Sequence, residues 1–370
     1  MIINSKDLLI NQSRIPDRKS EEYKPFWENE VQKLLNGISI NGVYISGFLY
    51  WHLNIYKTLL DFDEGNGRLV RRIGTPYLRD NEWLIGNKIN EASTWRNKDG
   101  EVRKKGVVAL GTRRFSKTVI QSSWTRYNAT LYKGTQNPIV GGSKDQIKLI
   151  TDEIDRFDAE MISSAYNNIR HFFALDRIET DWKSQVTYGK KDQQGNKFPY
   201  SYIPTRNVDG GINTEAAAGL SPQSIIFDEI GTYPFLKALK AALPGLDTPF
   251  GWRCSPFCMG TGGDMSNFQD AQDLFDNPDA HNFLSTFVED ENRTCGIYLP
   301  GWMSYDVPKN KESLATYLGM PEEGNKDLSS IDILVGNKQL GEEMIDKKRV
   351  DASKSNDPTM LLKVTMYYPK

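Results

Sequence analysis

The chain has 370 residues, 38% hydrophobic and 25% charged, with 46 Lys and Arg against 48 Asp and Glu for a formal net charge of −2. This is globular composition at a length suited to two domains or one large domain with additions, and a mean hydropathy of −0.55 with no apolar run long enough to cross a bilayer predicts no membrane span. Three cysteines are too few for a disulfide framework and the amino terminus lacks the pattern of a secretory signal, so a reducing, cytosolic setting is expected, while the weak overall field leaves any nucleic-acid binding to local patches.

Residues 1 to about 100 are rich in aromatic and charged side chains. An apolar run, Val43 to Trp51, is followed by a helical-looking segment, and the whole stretch reads as a helical or mixed N-terminal subdomain. The second region, 101–305, changes pattern. Val107 to Leu110 is a short apolar run behind Lys104 and Lys105, the pattern of a buried strand, and it runs through a loop into a helix. The same succession recurs at Ile139 to Gly142 with a helix over Asp145 to Phe157, and further strands are expected at Ile225 to Phe227 and at Cys254 to Met259. Strands alternating with helices predict an α/β fold with a mainly parallel sheet flanked by helices.

Asp181 to Gly211, with Lys183, Lys190, Lys191, Lys197 and a Gln193-Gln194-Gly195-Asn196 tip, reads as an exposed hairpin or loop rather than core. The third region, 306–370, is polar and reads as a linker or lid segment. It carries a charged amphipathic helix over Leu340 to Lys354, stopped by Asp357-Pro358, and ends in the strand-like Met366-Tyr367-Tyr368-Pro369-Lys370, as if the chain were truncated there.

The chemistry concentrates at three strand ends. Gly111-Thr112-Arg113-Arg114-Phe115-Ser116-Lys117-Thr118 lies between a strand and a helix, the context of a P-loop. There, loop N–H groups and the helix N-terminus cradle phosphates, Lys117 reaches the β/γ oxygens and the Thr118 hydroxyl ligates Mg²⁺. Ser116 stands where the second glycine is expected and adds a Cβ where backbone approaches phosphate. By itself the loop also suits a basic strand-to-helix turn with no ligand. Ile225-Ile226-Phe227-Asp228-Glu229 brings two carboxylates to a second strand end, Asp228 for Mg²⁺ and Glu229 to polarise an attacking water, the arrangement of a Walker B strand. Gly260-Thr261-Gly262-Gly263 ends a third strand with a hydroxyl and flexible backbone suited to sensing a γ-phosphate.

In this order the motifs resemble the ATPase domain of the large terminase subunit of tailed bacteriophages and related viruses, over roughly residues 40 to 370. The resemblance implies a P-loop NTPase fold of the RecA-like (ASCE) kind, with ATP and Mg²⁺ as ligands. Arg113 matches the arginine that the family carries inside its loop, where a guanidinium neutralises charge on the transferred phosphoryl group. Gly260 to Gly263 stand in the place of the family's coupling motif, and Gly142-Ser143-Lys144-Asp145-Gln146 in that of the segment after the P-loop. The implied activity is ATP hydrolysis driving double-stranded viral DNA into a procapsid through the portal protein. The implied partners are the small terminase subunit and further copies of the chain in a ring on the portal, with a monomer in isolation, and the implied setting is the host cytoplasm during virion assembly. Two departures stand out. Ser116 is one, and Ala218-Gly219, where the family often has an arginine before glycine, is the other, leaving Arg206 as the nearest substitute for a finger acting on a neighbour. The RNase H-like nuclease domain of the family is expected to be absent from this chain, so no nuclease site is assigned.

The remaining features read blandly. Tyr50, Trp51 and Tyr56 suit the N-terminal core, with adenine contact as the other reading. The four lysines of the 181–211 segment, with Arg71, Arg72, Arg103, Lys104 and Lys105, suit either phosphate contacts to duplex DNA or a solvated face. Cys254, Cys258, Cys295 and His281 lack paired zinc spacing and read as buried or incidental. Among His52, His171 and His281, none accompanies a nucleophile motif. Two other functional readings stay open: a different P-loop motor such as a helicase, and a catalytically degraded P-loop domain used for docking.

Overall fold

In the structure, a computed structural model, the described residues are 8, 10, 15–40, 42–63, 69–76, 78–112, 115–162, 176–181, 185–261, 265–288, 292–304, 333–334, 338–355 and 360–361. The N-terminal region contains helix α1 (Tyr23–Asn36), α2 (Gly47–Asn54) and α3 (Asp80–Thr94), with short hairpins between them. The apolar run from Val43 divides at Ser46: Val43–Ile45 pairs as a strand with Ile38–Ile40, and the extended Ser46 accepts the Leu49 N–H at 3.3 Å and so caps α2. All eight residues of α2 are buried. Its Trp51 packs against Tyr127 and Phe157, and Tyr56 stacks on Phe157, so this region shares one core with a face of the central sheet.

That sheet has nine strands: β1 (Val107–Gly111), β2 (Thr135–Gln136), β3 (Ile139–Gly141), β4 (Asp176–Asp181), β5 (Gln185–Lys191), β6 (Lys197–Asn207), β7 (Ile225–Asp228), β8 (Pro256–Thr261) and β9 (Ile297–Leu299). Their order is β9-β1-β8-β7-β3-β6-β5-β4, with β2 beside β6. The pairings from β9 through to β6 are all parallel. Burial on both faces follows from the period of two. Val107 and Ala109 join the core under α4 (Lys117–Leu131), whereas Val108 and Leu110 join the opposite core with α6 (Phe235–Leu246) and α7 (Met265–Asp276). Ile226 and Phe227 part in the same way. The strand that leads into the P-loop candidate, β1, is therefore separated from the acidic strand β7 by β8.

The 181–211 segment differs from expectation. Its tip, Asp192 to Asn196, is an exposed turn, but β5 and β6 pair along their length and β6 then joins the main sheet in parallel with β3. Val186, Tyr188 and Ile203 are fully buried beneath α5 (Lys144–Ile162). Alternate apolar positions among polar ones supply that face, so half of the ribbon is core. Helix α8 (Lys338–Ser353) lies where the charged helix was expected, while Met366 to Lys370 fall outside the described residues. Among the described residues no helix is long and apolar enough to cross a membrane.

Candidate active site

Register fixes the level of each motif. Thr261 is paired with Gly111 and Asp228 with Met259, so the loops leaving β1, β8 and β7 all open on the carboxyl edge of the sheet, where ligands gather in such folds. Gly111 is required by packing, because a Cβ there would lie 2.7 Å from the Leu299 Cβ. Ser116 has φ 61° and ψ 19°, the left-handed conformation that favours glycine, and it delivers the chain directly into α4 at Lys117. Sequence reading located the anomaly at Ser116 but placed its cost in contact with phosphate; the backbone conformation is a second reason for glycine there. The Ser116 side chain makes no capping hydrogen bond to α4, whose N-terminus is the kind of place that receives an anion.

Phe115 is buried and its carbonyl accepts from Asn81 Nδ2 at 2.5 Å, so a residue of α3 ties the loop between β1 and α4 to the N-terminal region. Thr112 is buried, and Thr118 lies half-buried on the first turn of α4. Arg113, Arg114, Gly262 and Gly263 lie outside the described residues.

Lys117, Asp228 and Glu229 meet. Lys117 Nζ stands 2.9 Å from Asp228 Oδ1 and pairs also with Glu229 Oε1. Asp228 Oδ1 completes no directed hydrogen bond, so its contact with Lys117 is a charge contact. Burial works against all three charges. For Lys117 burial is outweighed by the two carboxylates, which hold its ammonium above the ordinary value. Burial wins at Asp228, which is raised despite Lys117 and further so by Glu229. Glu229 is lowered, because Lys117 and the hydrogen bonds of Thr261 exceed its own burial cost. Thr261 donates its N–H at 3.2 Å and its hydroxyl at 3.0 Å to Glu229 Oε2. One lysine thus neutralises a site built for two carboxylates.

Glu229 has φ 50°, a left-handed residue that is not glycine, held by contacts on both sides. Thr232 donates its N–H at 2.9 Å and its hydroxyl at 2.8 Å to the Glu229 carbonyl, and Gln146 Nε2 donates to the Thr232 hydroxyl at 3.0 Å. Gln146 is itself fixed on α5 by the Ser143 N–H. Gly142 lets this cluster close, since a Cβ there would come within 2.7 Å of the Tyr233 ring. Asn81 and Thr232 were not found from sequence, and Gln146 was noted only as the end of the Gly142 to Gln146 segment, without its bond to Thr232 86 residues away.

The donor set fits Mg²⁺: Thr118 supplies a hydroxyl and Asp228 a buried carboxylate whose Oδ1 lacks a hydrogen bond, both hard oxygen ligands. Tyr50, Trp51 and Tyr56 do not face this edge; they are 2%, 1% and 0% exposed, with Tyr50 bonded to Glu30 and Tyr56 to Ser122, and the core reading holds. Cys254, Cys258 and Cys295 are buried free thiols, Cys254 pushed up to about 12 by burial, while His281 Nε2 lies 3.1 Å from Asp273. Arg103 pairs with Glu101, Lys105 with Asp279 and Lys197 with Glu179. Arg206 is half-buried and donates to the Thr205 carbonyl at 2.9 Å.

No protein-family model matches the chain, and no curated protein matches it. Among solved structures it is similar in fold to the large terminase ATPase domain of Thermus phage P74-26, with a TM-score of 0.43 and 14% identity over 70% of this chain and 86% of that one. It is similar also to the large terminase of bacteriophage HK97, with a TM-score of 0.41 and 13% identity over 70% of this chain and 51% of that one. A large terminase of a thermophilic bacteriophage in complex with ADP gives a TM-score of 0.38 and 13% identity over 64% of this chain and 50% of that one. The chain spans about half the length of these last two proteins.

Proposed function

We propose that this chain is the ATP-hydrolysing motor domain of a viral terminase, which moves double-stranded DNA into a procapsid through the portal. The observation that carries the nucleotide part is the meeting of Lys117, Asp228 and Glu229 at the carboxyl edge of a parallel sheet, beside the start of α4. Lys117 and the first N–H groups of α4 bind the β- and γ-phosphates of ATP. Gly111 to Ser116 form the rest of the cradle, with Arg113 offsetting charge on the transferred group. Thr118 and Asp228 hold Mg²⁺, which when bound supplies neutralisation of phosphate charge.

Binding of phosphate draws Lys117 away from the two carboxylates. Glu229 then keeps Thr261 on one oxygen and has the other free to orient and polarise water for in-line attack. Because Thr261 ends β8 and leads into Gly262-Gly263, any movement of the carboxylate is felt at that loop, the route by which phosphate loss would reach the DNA grip. Duplex DNA, the portal, the small terminase subunit and a ring of copies in the host cytoplasm complete the reading. The order of motifs along the chain supports it.

The test of the motor reading is ATP hydrolysis with and without duplex DNA, together with a strand-separation assay. Stimulation by duplex DNA without strand separation is expected. Strand separation would favour a helicase, and nucleotide binding with no turnover under any condition would favour a docking module, for which the strained Ser116 is the motivating feature.

A further inference from the structure

Gln121 lies one turn after Lys117 on α4, on the face of the helix that meets β7. It is 0% exposed, yet neither its Nε2 nor its Oε1 has a hydrogen-bond partner. Asp228 Oδ1 has the charge contact with Lys117 at 2.9 Å but completes no directed hydrogen bond, and the Gln121 amide is near enough to favour the charged form of Asp228. An unpaired buried amide opposes folding, and Leu or Met would fill the same space without that cost. Its polar neighbours Ser122 and Thr125 are satisfied: Ser122 bonds the Thr118 carbonyl and Tyr56, and Thr125 bonds the Gln121 carbonyl. A buried amide with neither end hydrogen-bonded, beside a carboxylate oxygen that is held by charge contact with Lys117, marks a place where a small polar species completes the set.

We infer that Gln121 is a positioning residue of the metal site: its amide orients the Asp228 carboxylate toward a divalent cation and accepts from that cation's hydration shell. The inference rests on the nucleotide-and-metal reading above. It differs from the expected ligand pair, Thr118 and Asp228, in adding a partner that never touches the metal. Magnesium keeps several of its waters, so a neutral amide with one donor and one acceptor end suits the role. Partners of this outer kind tune metal affinity by about 10–100-fold.

The test uses the full chain with ADP and Mn²⁺ as probes. Mn²⁺ is titrated into the ADP complex and followed by electron paramagnetic resonance, and ADP affinity is measured by calorimetry in EDTA. Gln121→Leu is expected to weaken Mn²⁺ by about tenfold while metal-free ADP affinity stays within about twofold and thermal stability is kept or raised. Gln121→Glu, which restores an acceptor, recovers Mn²⁺ affinity, and Gln121→Met repeats the loss with an unbranched side chain should leucine disturb packing. Unchanged Mn²⁺ affinity in both apolar variants overturns the inference, as does a parallel loss of Mn²⁺ and metal-free ADP binding. ADP binding by the parent chain with no response to Mn²⁺ overturns it while leaving nucleotide binding intact. Failure of the parent chain to bind ADP at all overturns the preceding reading as well.

Discussion

Thr261, at the end of β8, donates both its N–H and its hydroxyl to a single oxygen of Glu229, at 3.2 and 3.0 Å. The contact crosses from one strand end to the next and fixes a carboxylate whose backbone is left-handed, so the orientation of Glu229 depends on a residue of a different motif. The remaining oxygen is held by Lys117. Each hydrogen bond to a charged acceptor is worth about 1.5–3 kcal/mol.

Thr261→Val removes the hydroxyl and keeps the N–H. It is expected to lower kcat for ATP by about tenfold with KM within about twofold, the signature of a lost positioning contact. Because the Thr261 bonds help to hold Glu229 below the ordinary carboxylate range, their loss raises that pKa. The acid limb of the kcat profile should therefore move to higher pH, read from steady-state rates across the acid range.

Ser116→Gly relieves a left-handed serine at the entry to α4. The left-handed conformation costs about 1–2 kcal/mol for a residue with a Cβ, partly offset by the greater freedom of glycine in the unfolded chain, for a net gain of roughly 0.5–1 kcal/mol. Urea unfolding checks the gain, and Ser116→Val should lose stability instead.

Asn81→Ala cuts the tie from α3 to the Phe115 carbonyl, leaving a buried acceptor unpaired at a cost of about 1–3 kcal/mol. On the proposed reading, the loop between β1 and α4 loses its outer anchor while Asp228 and Glu229 keep theirs. We expect the Kd for ATP to rise about fivefold or more, with kcat at saturation little changed, measured by calorimetry beside steady-state kinetics.

Asp228→Asn separates stability from function. Burial raises the folded-state pKa of Asp228 above its unfolded value, so its favourable contribution is complete below the unfolded pKa and is lost as pH rises through the folded one. At neutral pH the ionised group is a burden to the ligand-free fold, and the neutral isostere should melt about 2 °C or more higher. The gain should vanish near pH 4, where the parent carboxyl is protonated, and hydrolysis should be lost throughout. Melting curves of both proteins across that range decide it.

How much was legible depends on the range of the interactions involved. The continuous apolar runs Val107 to Leu110 and Ile225 to Phe227 are local, and they revealed the buried strands and the two carboxylates at a strand end. Thr261 was placed by its Gly-rich surroundings, but its bond to Glu229 depends on strand order, which no local pattern states. Asn81, Gln146 and Thr232 act over 34, 86 and 3 residues, the first without a motif to mark it, the second within the Gly142 to Gln146 segment but toward an unforeseen partner, and the third through an unforeseen left-handed turn. The 181–211 segment reads as an exposed hairpin or loop because Val186, Tyr188 and Ile203 are scattered among Lys, Gln and Thr, and only pairing with β3 turns that alternation into core.

The most direct measurement is steady-state ATP hydrolysis by this chain at several protein concentrations, beside Lys117→Ala and Glu229→Gln. Measurable turnover is expected, with Lys117→Ala losing nucleotide binding and Glu229→Gln losing about 10²–10⁴ in kcat while still binding ATP. A rate per chain that climbs with concentration would place a neighbour's residue at the site. Turnover that survives Glu229→Gln would contradict the role given to that carboxylate, and absence of both turnover and nucleotide binding in the parent chain would contradict the account as a whole.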